Sequence, residues 1–306
     1  MRTYSNLCLI AFILLSALSA LSAQRLPTTN VVLFNFKQLS DSSYLFTNPQ
    51  FLTGFNPDGY NNQPYFMSSD ELYLTVQFPA DTSQTDIVSL NLRTRTLTRV
   101  TRTKESEFSP AYVPPPVTDD KTPKAYFSCV RVRNDGSGIQ QLWRYPMDRS
   151  SLGNPVFNSI SNVGYYSWVN SRRVALFLVG NPHTLKMADL RNPNMMDIAT
   201  NIGRCLQQMP GNGLAYLDKN RGRNGVLQRV DTRFYRNELI TASMSENEDF
   251  VVLPDGTFIM AQGNKLYKFN RVTDYRWTEI GDFSYYGFEK ISRIAITDNK
   301  IALVVE

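Results

Sequence analysis

The sequence predicts an all-β protein, a six-bladed β-propeller of four-stranded blades whose last blade takes strands from both termini. Short apolar runs bounded by Gly, Pro, Asn and Asp recur throughout the chain, and few stretches follow the helical period of 3.6 residues. The most apolar run of each repeat recurs every 40 to 53 residues, a spacing typical of propeller blades. The chain also ends within a repeat, and the missing strands are found ahead of the first complete repeat.

The first complete repeat gives the order of strands within a blade. A first strand is expected over 59–66, a strongly apolar second strand over 71–78, a third over 86–92 and an outer strand over 96–101. Polar or Gly-containing turn residues separate these runs, as antiparallel neighbours require. The pattern therefore predicts a four-stranded antiparallel unit.

Counting the second strands gives the number of blades. They are expected over 72–78, 125–130, 174–179, 214–217, 257–261 and 301–305. A β-sandwich would also contain many short strands, but it requires neither this period nor a split last unit. A seven-bladed ring would need a further second strand, and none is left over.

The two ends of the chain are predicted to complete one blade together. The run 301–305 should pair with 31–36, and the run 44–47 should lie outside that pair. Closure of this kind holds a ring shut and removes exposed sheet edges. It would leave the faces of the ring as the parts that carry function.

The first 23 residues have the features of a secretory signal peptide. Arg2 is followed by a short apolar run over 7–15 and by small residues up to Ala23, so that cleavage is expected before Gln24. An uncleaved membrane anchor is the alternative, but the apolar run is short for a membrane span. The expected domains are thus a signal peptide over 1–23 and one propeller over 24–306. The mature protein should be periplasmic or secreted, without membrane insertion.

Composition argues against nucleic acid as a partner. The formal net charge is +5, and the arginines are spread along the chain, whereas nucleic-acid binders cluster them. The two cysteines after the signal, Cys129 and Cys205, fall in different repeats. A disulfide requires Cα atoms within about 7 Å, so both are expected as free, buried thiols.

The sequence contains few residues or motifs that indicate a catalytic site. His183 is the one histidine, in an Asn-Pro-His turn, so neither a histidine metal cluster nor a cofactor site is expected. A Gly-x-Ser-x-Gly nucleophile motif is missing. Glycosidases use a pair of carboxylates, and the sequence has carboxylates of the right type in Glu105, Glu107, Glu246, Glu248 and Asp249. They are more simply explained as charged residues of loops.

Aligning the first strands of the blades predicts a ring of mostly polar residues around the axis. Its members are Gln63, Ser109, Ser167, Cys205, Asp249 and Ser292. These side chains could line the mouth of a funnel, or they could instead cap backbone groups at the strand starts.

The residues proposed to bind at this funnel mouth combine amide, charged and aromatic groups. They are Asn61, Asn62, Gln63, Glu107, Tyr166, Arg204, Asp249 and Lys290. Such groups in a concave mouth suit a peptide, a protein segment or a sugar. For Tyr165 and Trp168, packing between blades is the favoured interpretation.

Part of the repeat resembles that of TolB-type β-propellers. The matching stretches include Asn56-Pro-Asp-Gly59, Thr85-Asp-Ile-Val88 and Glu105-Ser-Glu-Phe-Ser-Pro110, with a second Pro254-Asp-Gly256 turn. The run Val163-Gly-Tyr-Tyr-Ser-Trp168 is similar to stand-alone, exported TolB-like propellers of the Bacteroidetes type. TolB itself carries an α/β domain ahead of its propeller, which this chain is expected to lack. Roles that depend on that domain are therefore not carried over.

The resulting functional expectation is a non-enzymatic, exported and monomeric binding module. It would present its funnel face to a protein or peptide of the cell envelope. The alternative is a carbohydrate-binding or carbohydrate-active propeller that uses carboxylates and aromatics of the first strands. A structural scaffold that binds along the outer blade edges is a third possibility.

Overall fold

The structure, a computed structural model, describes residues 26–116, 124–244 and 247–306. Six four-stranded antiparallel sheets form a six-bladed propeller, as the sequence predicts. The predicted signal segment, residues 117–123 and the candidate carboxylate Glu246 lie outside the described residues. Within the three described ranges, no helix is long and apolar enough to cross a membrane.

The strands follow one another with short connections. In chain order they are β1 (Asn30–Gln38), β2 (Tyr44–Phe51), β3 (Tyr60–Ser68), β4 (Glu71–Gln77), β5 (Asp86–Asn91), β6 (Leu97–Arg99), β7 (Ser106–Val113), β8 (Tyr126–Val132), β9 (Gln140–Pro146), β10 (Asn154–Pro155), β11 (Val163–Trp168), β12 (Arg173–Leu178), β13 (Thr184–Asp189), β14 (Asn192–Thr200), β15 (Ile202–Met209), β16 (Gly213–Asp218), β17 (Val226–Asp231), β18 (Asn237–Ala242), β19 (Phe250–Val252), β20 (Phe258–Gln262), β21 (Lys265–Phe269), β22 (Thr278–Asp282), β23 (Ile291–Ile296) and β24 (Lys300–Val305). A short 3₁₀ helix, Ser284–Tyr286, precedes β23.

Each blade is one sheet that begins at the axis. Blades one to five take their strands in chain order, β3–β6, β7–β10, β11–β14, β15–β18 and β19–β22, and blade six consists of β23, β24, β1 and β2. The innermost strands β3, β7, β11, β15, β19 and β23 contact one another around the axis. Each of them is hydrogen-bonded within its sheet on one side alone.

The second strand of each blade is buried on both faces. In β4, for example, Leu72, Leu74 and Val76 are fully buried, as are the residues between them. Neighbouring blades stack face to face, so both faces of this strand meet apolar side chains of another blade. This explains why the second strands appear in the sequence as continuous apolar runs rather than as alternating patterns.

The closing blade is built as predicted. β1 pairs antiparallel with β24, with Val31 opposite Val304 and Leu33 opposite Ala302. β2 lies outside β1. The fully buried Phe34 of β1 packs edge to face on Phe283, with 5.1 Å between the ring centroids. The last blade is thus held together both by backbone hydrogen bonds between β1 and β24 and by packing of buried aromatic rings.

Two smaller predictions are also confirmed. Cys129 in blade two and Cys205 in blade four are buried free thiols. His183 lies in the turn between β12 and β13, where its Nδ1 accepts a hydrogen bond from the Gly180 amide at 3.2 Å.

The role of the closing strand can be tested by truncating its central ring. Phe34→Ala should lower the free energy of unfolding by about 3–5 kcal/mol, because it empties a fully buried site in the last blade. Phe51→Ala, on the outer strand of the same blade, removes a ring that is 53% exposed and should cost less than about 1 kcal/mol. Urea unfolding measures the free energy of unfolding of both variants. If Phe51→Ala lowered it as much as Phe34→Ala, the special importance of the closing strand β1 for stability would be contradicted.

Candidate functional site: the axial cavity

The six innermost strands enclose a cavity of about 520 Å³ on the propeller axis. Its wall begins at the third or fourth residue of five of these strands and continues to, or near, their C-terminal ends. The cavity therefore lies towards the ends of the innermost strands.

A largely buried charged group bridges the axis at the deep end of the cavity. Arg293 of blade six lies 3.5 Å from the Asp249 carboxylate of blade five and donates a hydrogen bond of 3.0 Å to the Tyr165 hydroxyl of blade three. The guanidinium also lies over the Tyr165 ring, 5.3 Å from its centroid. Because blades three and six face each other in a six-bladed ring, these contacts cross the axis. We call Asp249, Arg293 and Tyr165 the floor of the cavity.

Burial and charge act in opposite directions on the floor. Burial raises the pKa of Asp249, and the nearby Arg293 opposes that shift. Burial alone would lower the pKa of Arg293, but Tyr165 and Asp249 raise it above its usual range. The Ile294 amide donates to Asp249 Oδ2 at 2.8 Å. The floor is thus a satisfied polar cluster, as a buried charge requires.

Blades one and two are fastened to each other in the cavity wall. Gln63 Oε1 accepts hydrogen bonds from the Ser109 amide and the Thr75 hydroxyl, both at 2.7 Å. Gln63 and Ser109 have φ values of 53° and 56°, in the left-handed region that is costly for non-glycine residues. Both lie at irregularities in strand pairing. The bulges turn these residues towards each other across the blade boundary.

Blades two and three are joined by an aromatic network. The Tyr166 hydroxyl donates to the Ser109 carbonyl and accepts from the Ser128 hydroxyl, both at 2.9 Å. Ser128 Oγ in turn accepts a hydrogen bond of 2.9 Å from Trp168 Nε1. The polar atoms of Tyr166 and Trp168 are thereby occupied within the wall.

The Arg204 side chain has no hydrogen-bond partner among the described residues. Its amide donates to Glu248 Oε2 at 2.9 Å, whereas its Nε is buried without a hydrogen-bond partner. Among the described residues its guanidinium forms neither an ion pair nor a side-chain hydrogen bond. Ser109 Oγ, also in the cavity wall, is buried without a partner as well. These two groups are available to a ligand.

The structure brings most of the predicted polar ring together. Gln63, Ser109, Ser167, Cys205 and Asp249 line the cavity. Ser292 does not, and Arg293 takes its place because a pairing irregularity between Ile291 and Arg293 shifts blade six by one position. Strict alternation along the strand could not reveal this arginine, although its charge next to an otherwise polar column is a usable signal.

Of the eight proposed binding residues, four line the cavity and four do not. Gln63, Tyr166, Arg204 and Asp249 are in its wall. Asn61 and Asn62 are buried ahead of it: Asn61 Nδ2 donates to the carbonyls of Thr29 and Asn56 at 2.8 and 2.7 Å, and Asn62 contacts the Thr29 hydroxyl. These two amides anchor the segment that leads into β1.

The remaining two candidates, Glu107 and Lys290, lie elsewhere in the molecule. Glu107 is fully buried near the boundary of blades one and two and accepts hydrogen bonds from the hydroxyls of Thr101 and Thr103. Lys290 is exposed, pairs with Glu306 at 3.7 Å, and borders a second, separate cavity among loops of blades four to six. Neither residue is positioned to contact a ligand on the axis.

The described part of the chain offers no metal centre built from His, Cys, Asp or Glu. No group of three or more such side chains is close enough together there to hold an ion. The carboxylate of the cavity, Asp249, is engaged by Arg293 and the Ile294 amide.

Comparison with known proteins establishes the fold alone. No protein-family model and no curated protein sequence matches this chain. Among solved structures, TolB from Acinetobacter baumannii is similar at 12% identity and a TM-score of 0.56, over 90% of this chain and 64% of that one. A putative TolB from Agrobacterium tumefaciens is 9% identical with a TM-score of 0.58, over 91% and 98%.

An enzyme also shares the architecture. Kuenenia stuttgartiensis hydrazine synthase is 12% identical with a TM-score of 0.53, and the similarity covers 83% of this chain and 46% of that one. The present chain therefore spans less than two thirds of two of these three structures. The TolB-like propeller fold predicted from the sequence is confirmed, and activity has to be argued from the site.

The floor arginine should be essential to stability. Arg293→Gln should lower the free energy of unfolding by about 3 kcal/mol, because it leaves the buried Asp249 carboxylate without its counter-charge. Arg204→Gln, which breaks no ion pair among the described residues, should cost less than about 1 kcal/mol. Urea unfolding compares the two variants. Equal losses, or no recovery in the Arg293→Gln, Asp249→Asn double variant, would contradict this assignment.

Glu107 should make stability depend on pH. Burial, with a smaller contribution from the nearby Asp86 charge, raises the pKa of Glu107 from 4.5 to about 7, so the folded protein retains a proton that the unfolded chain releases. The protonated Glu107 carboxyl therefore contributes to the free energy of unfolding. This contribution is fully present below pH 4.5 and is lost as the pH rises through about 7. Glu107→Gln, which cannot ionise, should remove about 3 kcal/mol of the fall in stability between pH 4.5 and 8. Urea unfolding at several pH values tests this, with the exposed Glu289→Gln as control; an unchanged profile for Glu107→Gln would contradict it.

Proposed function

We propose that this protein is an exported, non-enzymatic binding module and that its axial cavity holds a peptide segment of a cell-envelope protein. The observation that carries the proposal is a cavity of about 520 Å³ to which all six blades contribute. That volume lies within the range typical of ligand sites. Arg204 and Ser109 supply polar atoms without partners in its wall.

The chemistry of the wall favours binding over catalysis. Burial raises the pKa of the Cys205 thiol well above its usual range, and a thiol held in its protonated form is a poor nucleophile. Asp249 is held in the floor by Arg293. His183 lies in a turn of blade three and is not part of the cavity wall. A nucleophile with a base in hydrogen-bonding reach is not formed by these groups.

The backbone of the innermost strands suits a peptide. Each of these strands is paired with a neighbour in its sheet on one side, so its other edge faces the axis with backbone donors and acceptors. Extended peptides are commonly recognised through such edges, with pockets for alternate side chains. Carbohydrate is the second candidate, favoured by Tyr65 and Tyr112 in the wall, of which Tyr65 is 37% exposed.

Export is proposed from the signal-like segment at 1–23 and from the fold shared with TolB proteins. A periplasmic or secreted location, cleavage before Gln24 and a monomeric state belong to the same proposal. The dispersed arginines argue against nucleic acid as the ligand.

Filling the cavity tests the proposal. Ala111→Trp places a large side chain in the wall and should abolish binding to an array of random peptides, because the ligand and the indole compete for one volume. Ala80→Trp, at an exposed position outside the wall, should leave binding unchanged. A parallel glycan array tests the second candidate. Glycan binding that Ala111→Trp removes, without peptide binding, would overturn the proposal in favour of carbohydrate.

A further inference from the structure

We propose that the axial cavity recognises the C-terminal carboxylate of a peptide or protein chain and that Arg204 is the residue that binds it. This inference rests on the proposed function and specifies its ligand. It concerns which end of a chain enters the cavity and which chemical group holds it there.

The two arginines of the cavity have different tasks. Arg293 is committed to Asp249 and Tyr165, at 3.5 and 3.0 Å. Arg204 has a buried Nε without a partner and no ion pair among the described residues. The wall contains these two cations and one carboxylate, Asp249. The nearby Glu248 carboxylate also interacts with Arg204 but forms its ion pair with Lys219 at 2.6 Å, so a positive charge is left over. A guanidinium binds a carboxylate through two parallel hydrogen bonds, which would satisfy the orphaned Nε.

The floor favours a chain end over an internal segment. Contacts from Arg293 to Tyr165 cross the axis, so a chain cannot thread straight through the ring at this level. Arg204 is the third residue of β15 and thus lies near the deep end of the wall. A ligand that enters from the open side reaches Arg204 with its tip, and the tip of a chain that carries a negative charge is its C-terminus.

The other polar groups of the wall leave little for a polyhydroxylated ligand. Gln63 Oε1, the Tyr166 hydroxyl and Trp168 Nε1 are used for contacts between blades. Much of the remaining wall is apolar and includes Pro64, Pro110, Val251, Ile294 and Ile296. A ligand that fits has one charged group and apolar surface beside it, whereas a sugar needs several hydrogen-bonding partners. We therefore expect an apolar residue at or next to the C-terminus of the bound chain.

Matched peptide pools test this inference. The probes are fluorescein-labelled hexapeptides with five random positions and a terminal Leu, made once with a free C-terminal carboxylate and once as the carboxamide. Fluorescence anisotropy should show at least about tenfold tighter binding of the carboxylate pool, since the amide removes the charge that pairs with Arg204. Arg204→Gln should weaken binding of the carboxylate pool about tenfold, and Arg204→Lys by less.

Arg223→Gln is the control for loss of charge. Arg223 is exposed and borders the second cavity, so this variant should bind the carboxylate pool like the unaltered protein. Thermal unfolding by circular dichroism confirms that each variant is folded. A third pool, a carboxamide with Glu at the penultimate position, shows whether an internal carboxylate serves equally well.

The outcomes separate this inference from the proposed function. Equal affinity for carboxylate and carboxamide, with binding still lost in Ala111→Trp, would overturn the role of the C-terminus and leave the peptide site standing. Equal binding of the internal Glu pool would overturn recognition of a chain end in particular. If neither pool binds the unaltered protein, both the inference and the proposed peptide site fail.

Discussion

The antiparallel pairing of β1 with β24 is the interaction on which the rest of the structure depends. It joins the two ends of the described chain in one sheet, with Val32 opposite Leu303 at its centre. Without it, β24 would present an unpaired, apolar edge, and such edges aggregate. The apolar faces of the same strands, including the fully buried Phe34 and Leu303, also fill the space beside blade five. The strands that close the ring therefore also form part of the hydrophobic core.

Closure of the ring brings the innermost strands of all six blades together at the axis. Six innermost strands meet there, and each brings an edge that its own sheet does not pair. Side chains such as Gln63 and Tyr166 form hydrogen bonds between neighbouring blades, and Arg293 forms one between opposite blades. These links use Gln63 Oε1, the Tyr166 hydroxyl and the Arg293 guanidinium. The polar groups on the axis that stay uncommitted then define the chemistry available to a ligand.

The sequence predicts the blades well because of how the second strands are buried. Residues such as Leu72 and Leu74 meet apolar neighbours on both faces, and the resulting continuous runs are easily recognised. The closing pair is equally visible, since an incomplete repeat at one end needs strands from the other. The axis is less predictable because bulges interrupt the alternation in β3, β7 and β23. Counting along the strand therefore misses Arg293, which the bulge in β23 brings into the wall.

Burial explains why some residues with suitable side chains are not in the site. Asn61, Asn62 and Glu107 have the polarity expected of a binding surface, and the sequence cannot show that their partners are internal. Thr29 binds both asparagines, and two threonine hydroxyls bind Glu107. A polar residue contributes to recognition only when the fold leaves its hydrogen-bonding capacity unused.

That criterion, rather than the shape of the ring, decides what this propeller can bind. The architecture occurs in proteins named TolB and in an enzyme, hydrazine synthase, so the ring itself specifies no chemistry. The chemistry at this axis depends on the set of side chains that it leaves without partners. Here that set includes one guanidinium, that of Arg204, and one hydroxyl, that of Ser109. A positive group beside apolar walls can hold and orient an anion, and this is the physical basis of the binding proposed for the cavity.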